Sequence, residues 1–235
     1  MISFVVPAFN EEDYLAPTLA AIHAAGRACG EPYEVVVAND SSTDRTAQVA
    51  REAGARVVDV QKRQIAGARN AGARATTGEV LFFVDADTHL NESLVAEALA
   101  ALRGGAVGGG ARVAFYGDVP AWVSRFMVVF TPLYFGLGRW AAGCFVFCTR
   151  RAFEATGGFD EATYAGEEIG YSQALKRQGR FVIVRGFVET SARKARGRTM
   201  WQMLRITAGV LRKGALHGGR LKSREDAAFW YDGKR

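Results

Sequence analysis

Three observations predict an α/β fold with a mostly parallel central sheet and helices on both faces. Short apolar runs alternate with amphipathic stretches through the first hundred residues, the pattern of successive βαβ units. The apolar runs lack clean in–out alternation, as expected for strands covered on both sides. The residues that follow three of these runs are polar or acidic, and an open parallel sheet places its ligands beyond those strand ends.

The elements follow in chain order. Residues 2–6 read as the first strand and 11 to about 28 as an amphipathic helix. Residues 33–38 form a second strand, 43–53 a helix, 55–60 a third strand, 65–76 a helix and 79–84 a fourth strand. A helix over 91–103 is ended by Gly104-Gly105. The pattern then becomes less regular: a strand over 108–116, an aromatic run over 122–140, a strand over 143–148, and a Gly157-Gly158-Phe159-Asp160 turn. A helix over 167–178, a short strand over 180–184, a basic loop over 193–198 and a helix over 199–216 complete it.

Bulk properties bound the function. The 235 residues suit one α/β domain, and 49% hydrophobic with 23% charged residues exclude wholesale disorder. Charge is uneven. Residues 1–175 carry 14 Lys/Arg against 20 Asp/Glu, a balance of −6, and residues 176–235 carry 16 against 4, a balance of +12. The basic end suggests an anionic partner: phosphates, nucleic acid or a membrane surface. No nucleic-acid recognition motif accompanies it, so no specific nucleic acid is expected. Three unpaired cysteines argue against a disulfide framework, and the start lacks a secretory pattern, so a cytoplasmic location is expected. The greasy run over 126–138 would span about 20 Å as a helix, short of a bilayer core, and Pro132 interrupts it. With Arg125, Arg139 and the basic end, it suits peripheral contact with the inner membrane face; the alternative is a buried run, with a basic tail that serves only a phosphate-bearing ligand. The aromatics Trp122, Phe126, Phe130, Tyr134, Phe135 and Trp140 read as core or interface, or as an acceptor groove for a lipid or a sugar.

The most informative segment is Glu79-Val80-Leu81-Phe82-Phe83-Val84-Asp85-Ala86-Asp87, a buried strand with two carboxylates at its end. Side chains at i and i+2 project toward one point, and two hard oxygen ligands there make a seat for Mg²⁺ or Mn²⁺ on a phosphorylated substrate. The ends of the first two strands read Pro7-Ala8-Phe9-Asn10-Glu11 and Asn39-Asp40-Ser41-Ser42-Thr43-Asp44. Phe9 can stack on a base, and Asp40 can accept from a ring N–H or begin the next helix as a cap. No GxGxxG follows the first strand and no P-loop is present.

VVPAFNEE at 5–12, ANDSSTD at 38–44, GARNAG at 67–72 and VDADT at 84–88 resemble the motifs of family 2 glycosyltransferases. The resemblance continues through GGFDE at 157–161, the acidic pair at 167–168 and SARK at 191–194, covering roughly residues 2–200. It implies a GT-A fold, a Rossmann-like sheet with a less regular acceptor side, in one domain over 1–235. Residues to about 105 would bind the nucleotide-sugar and those from about 106 the acceptor. It further implies an inverting, metal-dependent transfer from a UDP- or GDP-linked donor; the alternative is a non-catalytic nucleotide or nucleotide-sugar binding protein on the same fold.

By that resemblance Pro7, Phe9 and Glu11 line the nucleoside pocket, Asp40 reads the base and Arg69 neutralises donor phosphate. Asp85, Ala86 and Asp87 form the DXD motif, binding ribose and the metal-diphosphate, with Asp85 and Asp87 on the metal. A late histidine supplies a third ligand in some GT-A enzymes, and His217 is the candidate. Arg193 belongs to a segment that closes over the donor. The general base of the family is the second acid of a Glu-Asp pair, here Glu167-Glu168, so Glu168 replaces the Asp and carries its carboxylate about one C–C bond further, with Glu167 the other candidate. His89 reads as a solvent-facing loop residue, and Cys144 and Cys148 as core.

Overall fold

A computed structural model describes residues 1–195 and Trp201. Its sheet has eight strands, β1 (Ile2–Ala8), β2 (Tyr33–Asp40), β3 (Arg56–Val60), β4 (Val80–Val84), β5 (Thr88–His89), β6 (Ala106–Tyr116), β7 (Phe145–Thr149) and β8 (Arg180–Ser191), in the spatial order β3-β2-β1-β4-β7-β6-β8-β5. The first four belong to βαβ units and pair in parallel. Between them run α1 (Leu15–Ala28), α2 (Thr46–Glu52) and α3 (Ile65–Arg74). Pro7 is tolerated inside β1 because pairing with β4 ends at Val5↔Phe83, so no N–H is needed on that side.

The two faces bury separate apolar sets, as the mixed strand composition requires. Phe4, Val6, Phe82 and Val84 meet Leu15, Leu19 and Ile22 of α1 and Leu94 and Val95 of α4 (Glu92–Arg103). Val5, Leu81 and Phe83 face Ala66 and Ala73 of α3, with Phe153 and Tyr171 from the second half. Asn91 caps α4, its side chain accepting from the Leu94 N–H at 2.8 Å.

The second half enters the sheet rather than forming a separate layer. β6 (Ala106–Tyr116) and β7 (Phe145–Thr149) follow, with β7 antiparallel to both β4 and β6. Between them lie α5 (Ala121–Thr131) and a π-helical turn, Pro132–Leu137. Then come α6 (Arg150–Thr156), α7 (Glu167–Gln178), β8 (Arg180–Ser191) and a 3-10 turn, Ala192–Ala195.

Several expected boundaries shift for local reasons. The helix expected from residue 11 begins at Leu15, because residues 11–14 form a turn in which the Glu11 carbonyl accepts from Tyr14 and Leu15. The helix expected from 43 begins at Thr46, after Asp44 has taken up the Thr46 N–H. β8 was expected to stop at 184; it continues to Ser191 through an irregularity at Arg185-Gly186, whose two N–H groups are taken by Glu97. α6 and the two-residue strand β5 (Thr88–His89) were not anticipated. His89 is therefore not a loop residue: it pairs with Glu189 and stacks on Tyr116, centroids 4.4 Å apart. Cys148 is buried in β7, while Cys144 sits just before it and is partly exposed. The helix expected over 199–216 and His217 lie outside the described residues. Among the described residues, no helix is long and apolar enough to cross a membrane.

Candidate active site

The carboxyl ends of β1, β2 and β4 come together, as a parallel sheet dictates, and a chain of buried ion pairs extends from them. Its first node is Arg69, on α3 and 1% exposed. One terminal nitrogen donates to Asp85 Oδ1 and to the Gly143 carbonyl, both at 2.8 Å, and the other donates to Glu167 Oε1 at 2.8 Å. Burial alone would lower the pKa of this guanidinium, but Asp85 and Glu167 outweigh it and raise the pKa, so the cation is fixed. Arg69 was expected to neutralise donor phosphate directly. In the structure its terminal nitrogens are taken by Asp85, Gly143 and Glu167, so that it ties the strand-end acid to α7.

The neighbouring Asn70 strengthens the same junction. Its side-chain oxygen accepts from the Phe159 N–H at 2.9 Å and its amide donates to the Phe159 carbonyl at 2.8 Å. The Gly157-Gly158-Phe159 turn is thus clamped onto α3, with Gly158 at φ +84° and too close to Asn70 for a side chain. Gly166, at φ +80°, then turns the chain into α7, whose first two residues are Glu167 and Glu168.

The second node is Arg193. It makes a two-point pair with Glu11, 2.7 Å at each contact, and its Nε lies 2.8 Å from Asp87 Oδ2. Its guanidinium also lies over the Tyr14 ring at 4.4 Å. Burial works to lower the Arg193 pKa, and Glu11 with Asp87 overcomes this and raises it. Asp87 is 7% exposed, and its backbone carbonyl accepts from Ser191 N–H and Tyr116 O–H, both at 3.1 Å. Thr190 Oγ1 stands 3.4 Å from Asp87 Oδ1. Ala86, buried between the two acids, accepts from Thr18 of α1 at 2.9 Å.

Glu11, Arg69, Asp85, Asp87, Glu167 and Arg193 therefore form two ion-pair clusters meeting at the Asp85-Ala86-Asp87 turn, and Glu168 adjoins them. Pro7 is buried at the end of β1, and Phe9 is 43% exposed beyond it. Asp40, expected to read a base or to cap the next helix, accepts three N–H groups with its two oxygens, from Lys62, Arg63 and Gln64, at 2.7–2.9 Å. It caps the turn into α3, one helix later than the sequence suggested, because the parallel neighbour β3 brings that turn beside it.

Glu168 is half-buried. Burial first, and Glu167 beside it second, push its carboxyl up to about 8. Tyr134, from the π-helical turn, places its hydroxyl 3.3 Å from Glu168 Oε1 and 3.0 Å from the Ala141 carbonyl. Sequence reasoning had grouped Tyr134 with core or groove aromatics, and its link to Glu168 was not foreseen. Tyr14, Tyr116 and Thr190 were likewise not singled out for the site. The one available signal was that each lies within five residues of a motif or an element end.

Residues 3–157 match the family model described as glycosyl transferase family 2, and the chain belongs to that family. It is 37% identical over 93 residues to an undecaprenyl-phosphate 4-deoxy-4-formamido-L-arabinose transferase of Edwardsiella ictaluri, an alignment covering 37% of this chain and 29% of the relative. The fold is also that of a mannosyltransferase from Pyrobaculum calidifontis solved with GDP-Man and Mn²⁺ (TM-score 0.70, 21% identity, 87% of this chain and 60% of that one). Residues 1–349 of S. aureus TarS, solved with UDP, superpose with TM-score 0.63 at 19% identity over 81% of this chain and 60% of that one. The chain thus spans less than two thirds of the length of these relatives.

Proposed function

We propose that the chain transfers a sugar, with inversion, from a UDP- or GDP-linked donor to an acceptor hydroxyl. The observation that carries this reading is the place of Glu168: it follows Glu167, which shares the buried Arg69 with the strand-end Asp85, and its Oε1 meets the Tyr134 hydroxyl, while burial and Glu167 raise its pKa. A carboxyl tuned toward neutrality suits a general base, and its place beside the strand-end acids suits attack on a donor seated there. The acceptor hydroxyl gives its proton to Glu168 as its oxygen bonds to the anomeric carbon, and the bond to the nucleoside diphosphate breaks on the opposite side.

Pro7, Phe9 and Glu11 form the nucleoside side of the site, over a floor that Asp40 keeps in shape. Arg193 is the guanidinium placed to meet growing charge on the departing diphosphate, because its fork already fits a carboxylate at two points. Asp85 and Asp87 offer hard oxygen ligands. Among the described residues no group of three or more candidate ligands is gathered. That donor set fits a hard divalent cation drawing its remaining ligands from phosphate and water. Mn²⁺ or Mg²⁺ would be held by Asp87 and Asp85, with His217 as the candidate third ligand from outside the described residues. Bound there, it would supply positive charge to the leaving diphosphate.

The acceptor we favour is lipid-linked. Val128, Leu133 and Leu137 are 74%, 54% and 82% exposed on α5 and the π-helical turn, and Arg125, three residues before Val128 on α5, is exposed as well. An apolar face edged with basic charge suits the surface of an anionic bilayer, and the E. ictaluri relative is named for an undecaprenyl-phosphate substrate. Flotation with anionic but not neutral liposomes at low salt is the expected result, and no co-flotation would leave a sugar acceptor in solution. For the catalytic reading, Glu168→Gln should keep donor affinity and lower turnover by about 10²–10⁴-fold, read as nucleoside diphosphate release from a panel of donors. Donor binding with no release by the wild-type chain would instead identify a binding protein.

A further inference from the structure

The aromatic run delivers one polar atom to the candidate base. Pro132 has no N–H to continue the ladder of α5, and the turn that follows closes by a wider bond, Gly138 N–H to the Leu133 carbonyl at 2.9 Å. Such π turns are enriched at functional sites. Here the turn leaves Leu133 and Leu137 outward, while Tyr134 packs edge-on against Phe135 and Trp140, with ring centroids 5.0 and 5.5 Å away. The Tyr134 hydroxyl therefore sits on a rigid aromatic mount, between the Ala141 carbonyl and Glu168.

We propose that Tyr134 is the positioning residue of the base: its hydroxyl, seated between the Ala141 carbonyl and the Glu168 carboxyl, holds that carboxyl in both of its protonation states. The inference rests on Glu168 being the base. With Glu168 ionised, the Tyr134 O–H donates to Oε1 in a charge-assisted bond. After Glu168 has taken the acceptor proton, its own O–H donates to the Tyr134 oxygen, and Tyr134 turns its hydrogen to the Ala141 carbonyl. Tyr134 keeps its proton throughout, since burial and Glu168 push its pKa well above the ordinary value. The other groups facing the pair are Glu167 on α7, which disfavours the carboxylate, and Arg69 from α3, which favours it. The Cys144 thiol beside Tyr134 is kept neutral by burial.

Tyr134→Phe removes one oxygen and keeps the aromatic mount. It should lower kcat about ten- to a hundredfold, the worth of a hydrogen bond to a charged group, with the donor Kd unchanged by calorimetry. Because the hydroxyl favours the carboxylate, its loss should move the acid limb of the kcat–pH profile to higher pH. Incorporating 3-fluorotyrosine at 134, a stronger donor, should move that limb to lower pH. In a Glu168→Gln background, Tyr134→Phe should cause no further loss. Wild-type kcat with an unmoved limb in Tyr134→Phe, or full additivity with Glu168→Gln, would reduce Tyr134 to packing and overturn the proposal. Wild-type turnover in Glu168→Gln would overturn it by a different route, by removing Glu168 as the base.

Discussion

Arg69 shows how much of the site hangs on one buried side chain. Replacing it with Met leaves Glu167, 6% exposed, and Asp85 without their shared cation. Breaking such a pair from one side typically costs about 3–5 kcal/mol. Chemical denaturation of Arg69→Met should show a loss of that order, and a loss below about 1 kcal/mol would mean that the carboxylates re-pair elsewhere. Arg193 makes the opposite kind of prediction. Arg193→Gln should raise the donor KM about tenfold by removing a charge-assisted contact. It should also strengthen binding of Mn²⁺ alone, measured by the loss of the free-ion EPR signal, because Asp87 then has no competing cation. Weaker Mn²⁺ binding would show that Arg193 organises Asp87 for the metal. The strand-end acids were legible in the sequence because their neighbours are adjacent in the chain. The partner of Arg69 was not, since Glu167 lies 98 positions away and nothing in either segment names the other.

At the scale of elements, α3 is set against β1 by a missing side chain. A Cβ at Gly72 would lie 2.5 Å from Val5 Cγ1 and 3.4 Å from the Ala38 Cβ. Gly72→Ala should therefore cost about 1–3 kcal/mol by overpacking. It should also depress turnover, because the helix that must shift carries Arg69 three residues earlier. Full stability together with normal turnover would mean that Val5 can rotate away at no cost. The helices and the first four strands could be read from periodicity because each is a local pattern with a clear end. β8 was cut short because Arg185 and Gly186 look like its end; only the glutamate of α4 that receives their N–H groups lets the strand resume. The π-helical turn was hidden for a related reason: Pro132 marks a break, but composition does not say whether the chain leaves the helix or widens it.

For the whole molecule, the acid most displaced from its ordinary value couples activity and stability to pH. Glu168 holds its proton up to about 8 when folded, against an ordinary value of 4.5. Between those values the folded chain binds more protons than the unfolded one, so this group's contribution to stability is fully present below about 4.5 and is lost as pH rises through about 8. Turnover by a general base runs the other way, rising as Glu168 ionises. Thermal unfolding of Glu168→Gln across pH 5–9 should show a flatter decline than the wild-type chain, and parallel curves would place the Glu168 pKa near its ordinary value. The functional division expected near residue 105, within a single domain, falls inside one continuous sheet. β7, from the later half, pairs with β4 along its whole length, Val80↔Thr149 to Val84↔Phe145, and Arg69 and Asn70 reach across the same seam. The two halves are therefore not cassettes. A chimaera carrying this donor specificity on another acceptor framework would have to import 65–85 and 143–168 as a unit.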